Sequence, residues 1–280
     1  MENLIKTGRA FYAVGIAGLG IQQFIYADFR PVILPPWPTP IPGLVIWAYL
    51  IGLCLVVAAV IILFSKKARL MSLILGIAFL LFFIGFHVTY QLFLSPYSFH
   101  LGLWTDPLKE TALSGGAFVV AGSYPEDKLN SDKSSLTRFL DKFISVGPIF
   151  FSITMIAFGI DHFLYTEFVA TLVPAWIPGH TFWTYFAAVA LIGSGVCIIL
   201  KIKIRLVALL LGVMLFIWFV ILHIPRAVAD PNGTKGNEIT SVFEALAFSG
   251  IAFIIACMPQ ARSNKLNIPL GRRTSYLLIH

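Results

Sequence analysis

Three stretches of this chain, residues 31–65, 70–105 and 181–200, contain no Asp, Glu, Lys or Arg. Each is long enough for the roughly 20 residues that a helix needs to cross the hydrocarbon core of a bilayer. No water is available there, so a crossing segment must satisfy its own backbone N–H and C=O groups. The period-two alternation of membrane barrel strands is absent from these runs, which leaves helices. Composition agrees: 58% of residues are hydrophobic and 12% are charged, where a soluble domain carries about 25% charged. The expected fold is therefore all-α, a polytopic protein of eight transmembrane helices. Their predicted bounds are 9–28, 42–64, 69–92, 108–123, 143–166, 181–200, 203–224 and 240–259.

The eight helices read as one four-helix unit written twice. With an offset of 139, Gly20 falls on Gly159, Phe24 on Phe163, Tyr26 on Tyr165, Pro35 on Pro174 and Trp37 on Trp176. Three extra residues, Thr39-Pro40-Ile41, shift the offset to 136, where Trp47 meets Trp183, Arg69 meets Arg205, Gly76 meets Gly212 and His87 meets His223. The fourth helix is the least apolar, but KETALSGGAF (109–118) resembles EALAFSGIAF (244–253). Internal repetition of this length sets the architecture. Each unit has an even number of helices, so the two enter from the same side as parallel repeats. Residues 1–123 form the first repeat, 124–142 a polar linker, and 143–280 the second repeat with a tail.

Basic residues orient the chain. The N-terminus, the two hinges near 65–69 and 200–205, the linker and the tail hold 16 of the 20 Lys and Arg. By the positive-inside rule both termini are cytoplasmic. The net charge of +7 reflects this asymmetry together with attraction to anionic lipid, not a nucleic-acid surface. Arg69 and Arg205 are expected to anchor helix ends to lipid phosphates. No cleavable signal precedes the first helix. The three cysteines are isolated, so neither thiol exchange nor a zinc site is expected.

Polar side chains inside spans are costly and mark candidate sites. Asp161, His162 and Tyr165 occupy the place on the fifth helix that Gln22, Gln23 and Tyr26 occupy on the first. His87, Tyr90 and Gln91 follow one another at helical spacing, His223 and Arg226 recur on the seventh helix, and Glu110 and Glu244 lie near the outer ends of the fourth and eighth. All fall in the outer third of the bilayer. The plainest account of each is helix-to-helix hydrogen bonding; their recurrence on one rim suggests an outer-facing polar cavity. The expected rim is Asp161, His162, Tyr165, His87, His223 and Glu244, with Trp176 and Trp183 as walls. Each histidine lacks an HxxxH partner, so no metal site is expected and haem ligation has no support from spacing. A bound quinone or lipid headgroup fits better, since its proton-coupled chemistry needs a His or carboxylate beside an apolar slot. No Walker, GxSxG, GxGxxG or HExxH motif is present, which argues against a stand-alone enzyme.

A small-residue first helix ending GIxxFxY, then P-x-W, a basic hinge, and ETALSGGAF or EALAFSGIAF together resemble the DoxX-like membrane family. That family has a four-helix unit, and the resemblance to a tandem duplication covers nearly residues 9–258. It implies a bacterial inner-membrane protein linked to redox or quinone systems, with a membrane or periplasmic redox partner besides the lipid bilayer. Some of the wider group work beside cysteine oxidoreductases, but this chain lacks paired cysteines. The rival expectations are a structural or assembly subunit and a small-solute carrier.

Overall fold

The computed structural model describes residues 1–97, 99–125 and 135–258. The middle of the polar linker and the tail beyond residue 258 lie outside the described residues. Regular structure among those described is entirely helical. The long helices are α1 (Glu2–Tyr26), α2 (Leu44–Phe64), α3 (Ala68–Phe82), α4 (Thr105–Ser123), α5 (Gly147–Leu164), α6 (His180–Ile199), α7 (Ile204–Trp218) and α8 (Asn237–Cys257). α3 runs on through two π-helical stretches, Phe83–Val88 and Tyr90–Leu94, and α7 through Phe219–His223 and Ile224–Ala229.

Among the described residues, six segments are long and apolar enough to cross a membrane: Leu44–Phe64, Ala68–Leu94, Ser135–Leu164, His180–Ile199, Ile204–Ala229 and Asn237–Cys257. This is the make-up of a multi-pass membrane protein. The sequence reading places eight spans; α1 and α4 do not reach the same standard. Both lose apolarity to groups that face protein. α4 carries Asp106, Lys109 and Glu110 and is buried from Glu110 to Ala121, while α1 buries Gln22 and Gln23. A helix enclosed by other helices needs no lipid-compatible surface.

The helices follow one another round the bundle, with α2 against α1 and α3, and α6 against α5 and α7. α1 closes the circuit on α8, α5 packs on α4, and α4 and α8 touch at the centre. α8 is the apolar segment most enclosed, 78% buried where the other five are 22–33%. Small residues permit the closest approaches. A Cβ on Gly8 would stand 2.6 Å from the Gly250 carbonyl oxygen, and one on Gly115 would stand 2.6 Å from that of Gly147. Ser114 donates to the Gly76 carbonyl at 2.8 Å, and Ser249 donates to the Gly212 carbonyl at 2.9 Å. α1 begins at Glu2 rather than at residue 9 because its first turns are packed: Gly8 meets α8, and Arg9 donates to Ser123.

Arg69 is engaged within the protein. Its guanidinium bonds Asp141 Oδ1 at 2.7 Å and the carbonyls of Ala121 and Tyr124 at 3.3 Å. These bonds tie the start of α3 to the C-terminal end of α4, where helix carbonyls lack intrahelical donors.

Candidate functional site

α5 carries Asp161 and His162 on its last turn, and Tyr165 ends it with φ −118° and ψ 36°. The chain then turns into a short helix, Thr166–Leu172, which lies across the end of α6. Between α5, α6, α7 and α8 this leaves a cavity of about 840 Å³. Its walls are mostly apolar, with Met155, Phe158, Leu191, Leu215, Trp218 and Phe248 among them. Residues 100–105, between α3 and α4, help to close it.

The polar groups come from separate elements. Asp161, His162, Tyr165, Trp183, His223 and Glu244 all line this cavity, as do Lys109, His100 and Ser241. His162 Nδ1 donates to the Phe158 carbonyl at 2.7 Å, and its ring stacks on Trp218 with centroids 6.3 Å apart. Tyr165 stacks on His100 at 5.2 Å and accepts the Gly102 N–H at 3.2 Å. Trp183 donates to the Pro178 carbonyl at 3.1 Å. Asp161 Oδ1, Glu244 Oε1 and His223 Nδ1 are buried with no hydrogen-bond partner. Such atoms carry a desolvation cost that a bound ligand could relieve.

Lys109 is the site residue that the sequence reading passes over. Its Nζ lies 3.0 Å from Glu244 Oε2 and 3.2 Å from Asp106 Oδ1. A signal existed: the similar stretches KETALSGGAF and EALAFSGIAF align Lys109 with Glu244. Helices that meet at the centre bring that place on α4 against its counterpart on α8, and the opposite charges pair. Nearby, Arg226 holds Glu238 through two bonds of 2.9 and 2.5 Å.

His87 and Trp176 stand elsewhere. Trp176 is 72% exposed and outside the cavity lining. His87 lines a separate pocket of about 340 Å³ with Tyr90, Gln91 and Asp106. It is fully buried, 3.3 Å from the Val32 carbonyl oxygen and 3.5 Å from Glu110 Oε2. Both histidines fall in π-helical stretches, Phe83–Val88 and Phe219–His223, a feature that is frequent at functional sites. They do not converge on one site. The difference between the halves is the path of the loop after the first helix. In the first half Arg30, Val32 and Ile33 are buried, 0–1% exposed, and the last two belong to the main apolar core. Arg30 reaches the Lys235 carbonyl at 2.5 Å and lies over the Tyr26 ring. Burial pushes its guanidinium below the usual value, opposed by Tyr26 and Asp28. In the second half Val169 and Leu172, which stand at the places of Arg30 and Ile33, form cavity wall instead.

Among the described residues no group of three His, Cys, Asp or Glu is placed to hold a metal ion. A family profile described as a domain of unknown function (DUF8561) matches residues 151–250. That stretch carries the cavity lining except for the part contributed by residues 100–109. Comparison with curated proteins and with solved structures finds no match.

Proposed function

We propose that this is a DoxX-like protein of a bacterial inner membrane, with both termini cytoplasmic, that binds a quinone or another small, largely apolar ligand and serves a membrane redox system as an accessory. In this reading α1 and α4 also cross the bilayer, giving eight spans in two parallel repeats. Support for the repeats comes from packing. The Ser114–Gly76 and Ser249–Gly212 bonds join equivalent positions of the two halves, and each half brings its fourth helix to the centre.

The observation that carries the function is the cavity among α5–α8. Its volume, about 840 Å³, falls within the range of roughly 300–1,000 Å³ common to small-molecule sites. Apolar walls with a few polar groups suit a ligand that partitions from lipid. In the first half Val32 and Ile33 enter the apolar core, and the pocket beside His87 is smaller, about 340 Å³.

The test compares the purified protein with Ala187→Phe, which places a ring in the cavity from α6. Both are extracted in mild detergent, searched for co-purifying lipophiles, and titrated with a decyl-substituted benzoquinone while thermal unfolding is followed. The reading expects a retained lipophile or a rise in the unfolding midpoint for the native chain, abolished in the variant. Neither effect in the native chain would instead favour a scaffold whose polar groups only join helices.

A further inference from the structure

The cavity's polar groups are unequally matched. Lys109 is the cationic side chain on its wall, and it is already engaged by Glu244 and Asp106. Against that one ammonium stand two carboxylates of the lining, Asp161 and Glu244, and Lys109 also pairs with Asp106, which lines the neighbouring pocket. The neighbouring Arg226 and Glu238 cancel one another. Three histidines, His100, His162 and His223, complete the titratable lining. His162 already uses Nδ1 on a backbone carbonyl, and His100 is stacked on Tyr165. Two of the unpartnered atoms, Asp161 Oδ1 and Glu244 Oε1, belong to acids, and their residues are 9% and 3% exposed.

We propose that the ligand of this cavity is a single-chain amphiphile with a positively charged, hydrogen-bond-donating head, a protonated long-chain amine, whose ammonium sits at Asp161 with its tail along Leu191, Leu215 and Phe248. The proposal rests on the cavity being a ligand site and selects, within that reading, the head chemistry. An ammonium supplies N–H donors to carboxylate oxygens that have none and offsets the acidic excess. Charge-assisted bonds of this kind are about twice as strong as neutral ones, and the low dielectric of an apolar cavity magnifies the preference. An anionic head meets repulsion. A head that only accepts finds the strongest donor, Lys109, already occupied.

The test uses probes that share one tail: decylamine, decanol, decanoate and a decyl-substituted benzoquinone. The full chain in nanodiscs at pH 7.5 is titrated with each, and thermal unfolding is corrected against Ala187→Phe for partition into lipid. Decylamine is expected to half-saturate at about tenfold lower concentration than decanol, and decanoate to give no shift. Asp161→Asn, nearly isosteric, is expected to narrow the amine's advantage over the alcohol to within about twofold. Decanoate or the quinone binding as tightly as decylamine would overturn the head assignment and leave the cavity reading standing. So would an amine advantage that survives Asp161→Asn. If no probe shifts the native chain, the cavity reading falls and this proposal with it.

Discussion

The Lys109–Glu244 pair gives the sharpest energetic prediction. Its side chains are 14% and 4% exposed and 3.0 Å apart at the centre of the bundle. Lys109→Met leaves Glu244 buried without a cation and also releases Asp106, so the cost should approach the roughly 3–5 kcal/mol of breaking a buried pair. Glu244→Gln is milder. Lys109 keeps Asp106 at 3.2 Å, a carboxylate 36% exposed to solvent, and the amide can still accept its bond. We expect about 1–2 kcal/mol. The double variant Lys109→Met/Glu244→Leu removes both charges and should lie within about 2 kcal/mol of the native chain, because apolar side chains can replace a buried pair at little cost. The assay is unfolding by SDS titration in mixed micelles, followed by circular dichroism. The pattern to look for is the first single variant costing more than the double. Were Lys109→Met to cost under about 1 kcal/mol, the magnitude typical of solvated pairs, the pair could not be shielded as described. Costs of the singles that simply add would refute the coupling.

Two further outcomes follow from packing and charge. Ser114→Ala and Ser249→Ala each remove one buried hydroxyl-to-carbonyl bond between neighbouring helices and should each cost about 1 kcal/mol in the same SDS titration; a marked inequality would mean that the two contacts are not equivalent. For orientation, single-cysteine reporters at Lys66, Lys142, Tyr97 and Asp230, in a chain with its three native cysteines changed to Ser, should divide by side in intact cells. A membrane-impermeant maleimide should label Tyr97 and Asp230 directly, and Lys66 and Lys142 only after permeabilisation; the reverse would invert the proposed topology.

The helices were legible because their cause is local. A run without charges, such as 181–200, leaves few alternatives in any bilayer, and α6 forms at His180–Ile199. The bounds of α1 were less legible, because its early start depends on Gly8 meeting α8 far along the chain. Polar rim residues were legible as expensive groups in apolar helices, and Asp161, His162, Tyr165, His223 and Glu244 do line one cavity. Their partition between cavities was not legible. His87 and His223 stand at matching places in sequence, yet they line different pockets, of about 340 and 840 Å³. Lys109 was visible as a basic residue on the sparsely charged side, but its meaning needed the contact between α4 and α8.

On the proposed reading of two repeats, the comparison of halves also accounts for a single site. Equivalent positions on two central helices face one another, so identical units would set like charges together there. Under that reading, Lys109 opposite Glu244 is a pairing open to two joined, diverged units and closed to two identical ones. The same freedom applies at the loops. Thr39-Pro40-Ile41 lengthen the first loop, and in that half Val32 and Ile33 enter the core and fill the interior. The shorter second loop lines its interior without filling it. One half thereby contributes packing and the other a cavity, and the titratable groups Asp161 and His162 lie in the half with the cavity, where Gln22 and Gln23 stand in the filled one. Gln22 there accepts the Thr240 hydroxyl bond at 2.7 Å, joining α1 to α8, which is the structural role that neutral amides can serve and that Asp161, lacking a partner for Oδ1, does not.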